Sequence, residues 1–201
     1  GDTSIHVVAV GDNLVQQCVY QSAQAHSQDG TSYNFDYCYD NIKPLINGDL
    51  NIINQETLIC GDGFEVSGSN FNFNSPTELG DAVVGMGFNV ITMCNNHLLD
   101  KGESGLNSCL NYWDQKMQQY PDLLTCGVYR DYVDMQNIRT KEFNGKTVAF
   151  LSYTENTNGY SLPDNSELEI IYTSQEDLIQ QQIAAAKEIA DVVVVTCHWG
   201  A

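Results

Sequence analysis

The sequence predicts an α/β fold in which a largely parallel central sheet is layered with helices. Short apolar runs recur along the chain and alternate with longer stretches of helical periodicity, which is the pattern of strand–helix–strand units. Several of these runs are apolar on both faces, as buried parallel strands are. Asn144-Gly145 between two apolar runs adds one antiparallel β-hairpin. With 201 residues, 42% of them hydrophobic, we expect a single domain spanning residues 1–201.

The first half of the chain supplies two strands of that sheet. Residues 5–10 and 50–53 are predicted strands, and a helix is predicted between them from Leu14 towards Ala25. Residues 27–40 and 61–74 have neither a helical nor a strand period. We therefore expect both of these segments to be loops.

The clearest helix start lies at Ser75. This residue is the predicted N-cap, Pro76 takes the first helical position, and Glu78 completes a capping box. Gly87 is the expected stop of the helix. The chain then enters a predicted strand at residues 89–94.

The second half repeats the alternation of helices and strands. A helix is predicted at residues 104–120 and ended by Pro121; its apolar stripe, expected in the core, is Leu106, Cys109, Leu110, Trp113 and Met117. A short strand at residues 123–126 precedes the hairpin, which joins residues 138–143 to residues 146–153. Ser174 is predicted to cap a helix that runs to Ala190, and residues 191–197 form a fully apolar strand.

The net charge restricts the possible partners. Eight Lys and Arg residues stand against 26 Asp and Glu residues, which gives a net charge of −18. Such a field repels nucleic acid, anionic lipid and bare polyanions, so an anionic partner needs a metal ion or a local basic pocket. No apolar run approaches the roughly 20 residues of a membrane span, so we expect a soluble chain whose signal or anchor would lie outside this sequence.

The seven cysteines contain no Cys-x-x-Cys pair, which argues against a zinc ribbon. Cys94 and Cys197 end apolar runs, and we expect them to be buried thiols. Disulfides among the other five remain open, because connectivity cannot be deduced from sequence.

Polar side chains follow four of the predicted strands, at the edge where open α/β sheets form their ligand sites. These groups are Asp12, then Asn54 and Glu56, then Asn95-Asn96-His97, and finally His198. Taken singly, each is an ordinary turn or cap residue, and His198 beside Trp199 could be a core histidine. Their recurrence at four strand ends favours one shared site.

Carboxylate, amide and imidazole groups together suit manganese, iron, zinc or magnesium, bound as one ion or as a pair. Such ions lower the pKa of bound water and hold an anionic substrate oxygen. His97 would then be free to act as a general acid, with Asp100 orienting its imidazole. We assign Asn54, Asn95 and Trp199 to substrate binding.

Several segments, in order along nearly the whole chain, resemble the CapA family of poly-γ-glutamate capsule-biosynthesis proteins. They are Gly11-Asp12, Asn54-Gln-Glu56-Thr57, the run from Gly87 to Gly102 that contains Asn-Asn-His-x-x-Asp, Gly105-Leu106, Thr125-Cys-Gly127, Asn144-Gly-Lys146, and the run from Val192 that ends in His-Trp-Gly200. The Asn-Asn-His-x-x-Asp and His-Trp-Gly elements are the most specific of these.

That family is similar to the calcineurin-like metallophosphoesterases, which implies a four-layer α/β sandwich with two metals at the strand ends. The resemblance implies Asp12 as a ligand of the first metal, Glu56 as the bridging carboxylate, and Asn96 and His198 as further ligands. It implies His97 as the general acid. It also implies a secreted or membrane-anchored protein on the extracellular face of a bacterial cell, acting on an anionic polymer or a phosphoester beside other capsule-synthesis proteins.

The sequence departs from the pattern in two places. Leu14 stands where the metallophosphoesterase pattern has a histidine, so one metal position is expected to be weak. Family members continue past His-Trp-Gly with further imidazole-bearing segments. We therefore expect this chain to lack its C-terminal part and to hold metal incompletely.

Three functions remain open. The first is a metal-dependent hydrolase acting on a phosphoester or on poly-γ-glutamate. The second is a non-catalytic component that binds the polymer during assembly or export, and the third is a fold serving only in protein contacts. Metal-dependent polymer binding would separate the first two from the third, and turnover would separate the first from the second.

Overall fold

The computed structural model describes residues 3–199, which form eleven strands and six α-helices. The elements in chain order are β1 Val7–Asp12, α1 Gln17–Ala25, α2 Asp36–Tyr39, a 3-10 turn Lys43–Leu45, β2 Leu50–Asn54, β3 Ser67–Ser69, β4 Asn72–Asn74, α3 Thr77–Gly85, β5 Val90–Thr92, α4 Gly102–Gln119, β6 Leu124–Cys126, β7 Val128–Tyr129, α5 Tyr132–Gln136, β8 Arg139–Phe143, β9 Lys146–Thr154, β10 Glu169–Ile170, α6 Glu176–Ile189 and β11 Val192–His198.

The first sheet has the order β1-β2-β5-β6, and all of its strands run parallel. The predicted strands at residues 5–10, 50–53, 89–94 and 123–126 are therefore confirmed, with boundaries that differ by at most two residues. Every residue of β5 is buried, as a central parallel strand requires.

The second sheet has the order β11-β9-β8, with β11 parallel and β8 antiparallel to β9. Phe143 pairs with Lys146 across a two-residue loop, and the φ angles of Asn144 and Gly145 are 49° and 75°. Two consecutive positive φ values define a type I′ turn, which confirms the predicted hairpin.

The two sheets pack face to face between two helical layers. Ile52 of β2 and Phe150 of β9 share one apolar cluster between the sheets. Their neighbours point the other way, because successive strand residues alternate faces. Ile53 joins the main core with α3 and α4, and Leu151 joins a cluster beneath α6. The molecule is thus the α/β sandwich expected from the sequence.

The segment at residues 61–74 is not the featureless loop that we predicted. It contains the β3–β4 hairpin, whose two-residue turn is Asn70-Phe71 with φ angles of 55° and 58°. Gly68 lets this hairpin approach α1, since a Cβ built there would lie 2.6 Å from the backbone nitrogen of Gln17. This close packing against α1 is a tertiary contact, which local periodicity does not report. The other predicted loop, residues 27–40, contains the short helix α2.

The predicted capping box does not form, although the helix itself does. Pro76 is the N-cap of α3, and the hydroxyl of Ser75 is buried without a hydrogen-bond partner among the described residues. The Glu78 carboxylate instead accepts a hydrogen bond from the backbone N–H of Tyr33, at 2.9 Å. Helix α6 similarly begins after Gln175 without a side-chain cap, so Ser174 is not its cap.

Strand β11 corrects two expectations. It is the edge strand of its sheet, and Val192 and Val195 are exposed, so the strand is not buried on both faces. Cys197 is consequently exposed, whereas Cys94 is buried as predicted. All seven cysteines are free thiols.

Within residues 3–199, no helix combines the length and the apolarity that crossing a bilayer requires.

Candidate metal centre

The carboxyl ends of β1, β2 and β11 meet, although β11 belongs to the second sheet. Asp12 ends β1 and pairs with Asn54, which ends β2. His198 ends β11, and its Nδ1 lies 3.5 Å from Asp12 Oδ1. Face-to-face packing of two sheets whose parallel strands end at one edge brings these three residues together.

Three groups that can ligate a metal converge at this edge. Asp12, Glu56 and His198 each offer one ligand atom, and these atoms all lie within 4.8 Å of one another. Glu56 Oε1 is 3.4 Å from His198 Nε2. The Glu56 residue is 7% exposed, whereas about half of the Asp12 side chain is open to solvent. The cluster therefore has a buried carboxylate at its base and an accessible one at its rim.

Asn96 adds an amide oxygen to the cluster. Its Oδ1 lies 2.9 Å from His198 Nε2. Because an amide oxygen only accepts hydrogen bonds, the Nε2 of His198 carries the proton in this contact. The proton on His198 Nε2 therefore points towards the oxygens of Asn96 and Glu56. A cation bound to the same three groups would replace this proton.

The surroundings of His198 raise its pKa. The contact with the Glu56 carboxylate is the largest cause, the charge of Asp12 adds to it, and burial opposes both. Two carboxylates therefore favour positive charge at this position, as they would for a metal ion.

Asn54 lies behind the ligand groups and connects two of them. Its Nδ2 donates to Asp12 Oδ1 at 2.6 Å and lies 3.2 Å from His198 Nδ1. Asn54 thus orients a carboxylate and an imidazole within the cluster, and its predicted role in substrate binding remains a prediction.

His97 and Asp100 form a buried pair beside the cluster. His97 Nδ1 and Asp100 Oδ2 are 2.7 Å apart, and the same Oδ2 accepts the backbone N–H of Phe73 at 2.8 Å. The opposite nitrogen of the ring, Nε2, lies 3.8 Å from Glu56 Oε1. The Phe73 ring packs edge-on against the imidazole at 4.8 Å. The His97 ring is therefore held with Nε2 on the side of the cluster.

The other two predicted substrate ligands lie in different environments. Asn95 is 1% exposed, and its amide bonds to the carbonyl oxygens of Gln55 and Met93 and to the backbone N–H of His97. These contacts hold the loop after β5 and do not support a role in substrate binding. Trp199 is 71% exposed at the rim of the cluster.

A cleft of about 540 Å³ opens above the cluster. Its lining includes Asp12, Glu56, Asn96, His97, His198 and Trp199. Leu14, which occupies the position of the expected histidine, also lines it. The predicted ligands and the predicted acid thus share one opening.

Sequence reasoning missed three residues at this site. Phe71 and Phe73 come from the β3–β4 hairpin and line the cleft. Asn158, in the loop after β9, accepts a hydrogen bond from Asn96 Nδ2 at 3.1 Å. The Asn158-Gly159 dipeptide is a turn signal visible in the sequence, but only the sheet order places that turn beside Asn96.

The family model and the curated relatives that match this chain describe proteins of capsule or PGA synthesis. A family model described as bacterial capsule synthesis protein PGA_cap matches residues 6–201. The capsule biosynthesis protein CapA of Bacillus anthracis is 26% identical over 176 residues, which cover 84% of this chain and 41% of that protein. The PGA biosynthesis protein CapA of Bacillus subtilis is 29% identical over 115 residues, covering 57% of this chain and 29% of that protein. The matched region is well under half the length of these curated relatives.

Solved structures share the fold at low sequence identity. A Staphylococcus aureus protein provisionally described as a 5′-nucleotidase, in complex with alpha-ketoglutarate, has a TM-score of 0.51 and 16% identity, covering 98% of this chain and 38% of its own. The NAD nucleotidase of Haemophilus influenzae has a TM-score of 0.51 and 10% identity, with coverages of 96% and 34%. These nucleotidases have the metallophosphoesterase fold, which is the fold of the present chain.

Proposed function

This chain belongs to the bacterial capsule synthesis protein family PGA_cap, and from that premise we propose that it acts in poly-γ-glutamate capsule biosynthesis through a divalent-metal centre at its strand ends. The observation that carries the proposal is the convergence of Asp12, Glu56 and His198, whose ligand atoms lie within 4.8 Å of one another. Asn96 completes the donor set.

The donor set fits a divalent ion. Ligand atoms bound to one ion at about 2.1 Å lie roughly 3 to 3.6 Å apart. The distances from His198 Nε2 to Asn96 Oδ1 and to Glu56 Oε1 are 2.9 and 3.4 Å. Two carboxylates, an amide and an imidazole suit manganese, iron, zinc or magnesium better than a thiolate-bound metal.

The neighbouring residues supply the groups of a hydrolase. A bound divalent ion would lower the pKa of water and stabilise negative charge on a substrate oxygen. Asp100 holds the Nδ1 side of the His97 ring at 2.7 Å, so Nε2 is the atom that exchanges a proton with a leaving group. Phe71 and Trp199 at the rim offer rings for the uncharged part of a substrate.

The proposed substrate is an anionic polymer such as poly-γ-glutamate, or a phosphoester. With a net charge of −18, the protein repels such a substrate unless a cation lies between them. Binding should therefore require the metal. On this proposal the protein works at the extracellular face of the cell beside other capsule-synthesis proteins, attached to the membrane only through a segment outside this sequence.

One observation favours a non-catalytic alternative. Leu14 lines the cleft at the position of the expected histidine, which removes one ligand from a second metal. A centre with a single ion could bind the polymer for assembly or export without cleaving it.

The test measures metal content by elemental mass spectrometry, together with hydrolysis of poly-γ-glutamate and of a generic phosphodiester in the presence of manganese. Glu56→Gln should abolish stoichiometric metal and any turnover while the protein stays folded. Glu142→Gln is the matched control, since it removes the same charge from an exposed position on β8.

Each outcome decides between the alternatives. Stoichiometric metal with turnover supports the hydrolase. Metal with polymer binding and no turnover supports the assembly component. Equal metal content in the unsubstituted protein and in the Glu56→Gln variant would overturn the proposed centre.

A further inference from the structure

We propose that Asn158 is a positioning residue that fixes the amide orientation of Asn96 in the metal centre. The inference rests on the proposed function, because it concerns a group that supports a proposed ligand. Asn158 lies outside the motifs that carry the family resemblance, in the loop after β9.

The contact between the two amides discriminates between the two orientations of Asn96. Asn96 Nδ2 donates to Asn158 Oδ1 at 3.1 Å, while Asn96 Oδ1 faces His198 Nε2 at 2.9 Å. The two ends of an asparagine amide are nearly the same size, so shape alone does not select one orientation. Asn158 Oδ1 only accepts hydrogen bonds, so it attracts the Asn96 NH2 group and repels the Asn96 oxygen. It therefore keeps the Asn96 oxygen towards the metal ligands.

Asn158 is itself held firmly by its turn. Residues 157–160 form a type I′ turn in which Asn158 and Gly159 have φ angles of 55° and 80° and Tyr160 N donates to Thr157 O at 3.0 Å. The backbone N–H of Asn158 also donates to Asn156 Oδ1 at 2.9 Å. These hydrogen bonds fix the backbone of Asn158, and so they fix the position from which its side chain contacts Asn96.

The turn does not explain why the side chain of Asn158 is placed with its NH2 group buried. Among the described residues, its Nδ2 has no hydrogen-bond partner although the atom is buried. A buried unpaired donor costs free energy, and glycine would fit the same turn without that cost. The side chain is thus oriented by its oxygen, which contacts Asn96, and not by satisfaction of its nitrogen.

The competing explanation is that asparagine stands at 158 only because Asn-Gly favours a type I′ turn. The chain contains a second Asn-Gly turn of this type, Asn144-Gly145, in the β8–β9 hairpin. Its asparagine bonds to the carbonyl oxygen of Ser4 and is not among the residues of the cleft. Asn144→Gly is therefore a matched control for the same substitution in the same type of turn.

The experiment measures the dissociation constant of Mn²⁺ by isothermal titration calorimetry, with folding checked by circular dichroism. Asn158→Gly keeps the turn and removes the amide, and we expect the affinity to fall about tenfold or more, as for other groups that orient metal ligands. Asn158→Asp keeps an acceptor oxygen and should retain the affinity. Asn144→Gly should leave it unchanged. In a background of Asn96→Ala, Asn158→Gly should have no further effect.

The outcomes separate this inference from the metal centre itself. If the unsubstituted protein binds no Mn²⁺, the proposed centre and the inference both fail. If it binds Mn²⁺ and Asn158→Gly binds equally well, or if the effects of Asn96→Ala and Asn158→Gly simply add, the inference alone fails. Should Asn158→Gly not fold, a tenfold loss of affinity in folded Asn158→Asp would still overturn it, because that variant keeps the acceptor.

Discussion

His198 is the residue on which the candidate site depends most. One ring nitrogen lies against Asp12 and Asn54, and the other lies against Glu56 and Asn96. The two sides of one imidazole thus connect β1, β2 and the loop after β5. The raised pKa of this histidine reports the negative charge around it, chiefly that of Glu56. The same charge would favour a divalent cation.

Asp100 allows a prediction about stability at the scale of single residues. Its Oδ2 accepts hydrogen bonds from Phe73 N and His97 Nδ1, in a position where the side chain is fully buried. Asp100→Ala leaves both donors unpaired, and we expect a loss of about 1–3 kcal/mol of unfolding free energy for each. Asp100→Asn keeps an acceptor oxygen and should lose less. Urea unfolding measures both variants, and an Asp100→Ala protein as stable as the unsubstituted one would show that this pair is not structural.

At the scale of elements, the β3–β4 hairpin shapes the cleft. The hairpin delivers Phe73 N to Asp100 and the Phe73 ring to His97. At its tip, Phe71 is 71% exposed and has a φ of 58°, a conformation in which most residues other than glycine are strained. Strain of this kind is often retained at functional sites.

The hairpin turn therefore yields a second prediction. Phe71→Gly removes the strain, and because the side chain is 71% exposed the substitution gives up little buried apolar surface. Relief of the strain, less the backbone entropy of glycine, should raise the unfolding free energy by about 0.5–1 kcal/mol. Thermal unfolding followed by circular dichroism measures the change. Asn70→Gly in the same turn is the control and should have a smaller effect, because asparagine tolerates positive φ. A clear loss of stability in Phe71→Gly would contradict this prediction. It would mean that the packing of the Phe71 ring stabilises the protein by more than the backbone strain destabilises it.

At the scale of the whole molecule, charge is the dominant property. The net charge of −18 is spread over a chain of 201 residues. Repulsion among these carboxylates opposes the compact state, most strongly where screening is weak. Because the same charge repels other anions, we expect an anionic polymer to approach the cleft only when a cation is bound there.

Salt should consequently stabilise the metal-free protein. Raising NaCl from about 0.01 M to about 0.5 M shortens the screening length several-fold, and we expect the urea midpoint of unfolding to increase. The measurement is made with a chelator present, so that divalent ions do not contribute. KCl should act as NaCl does if screening is the cause. A midpoint that falls with both salts would show that the ion pairs outweigh the net repulsion.

Local patterns predicted the elements well where a residue's neighbours in sequence decide its structure. Asn144-Gly145 predicted its hairpin because a type I′ turn depends on two adjacent residues. Ser75 and Glu78 formed no capping box because Glu78 bonds to Tyr33, which is distant in sequence. Cys197 ends an apolar run and is nevertheless exposed, because β11 lies at a sheet edge.

What the sequence determined by itself was the α/β class, the alternation of helices and strands, and the polar residues that end the strands. These properties follow from periodicity and turn chemistry, which act over a few residues. The tertiary structure alone decided that β11 lies in a second sheet whose end faces β1, and that Phe71, Phe73 and Asn158 join the site. Such contacts depend on which strands pair and which faces pack, and these are set by long-range burial of apolar surface.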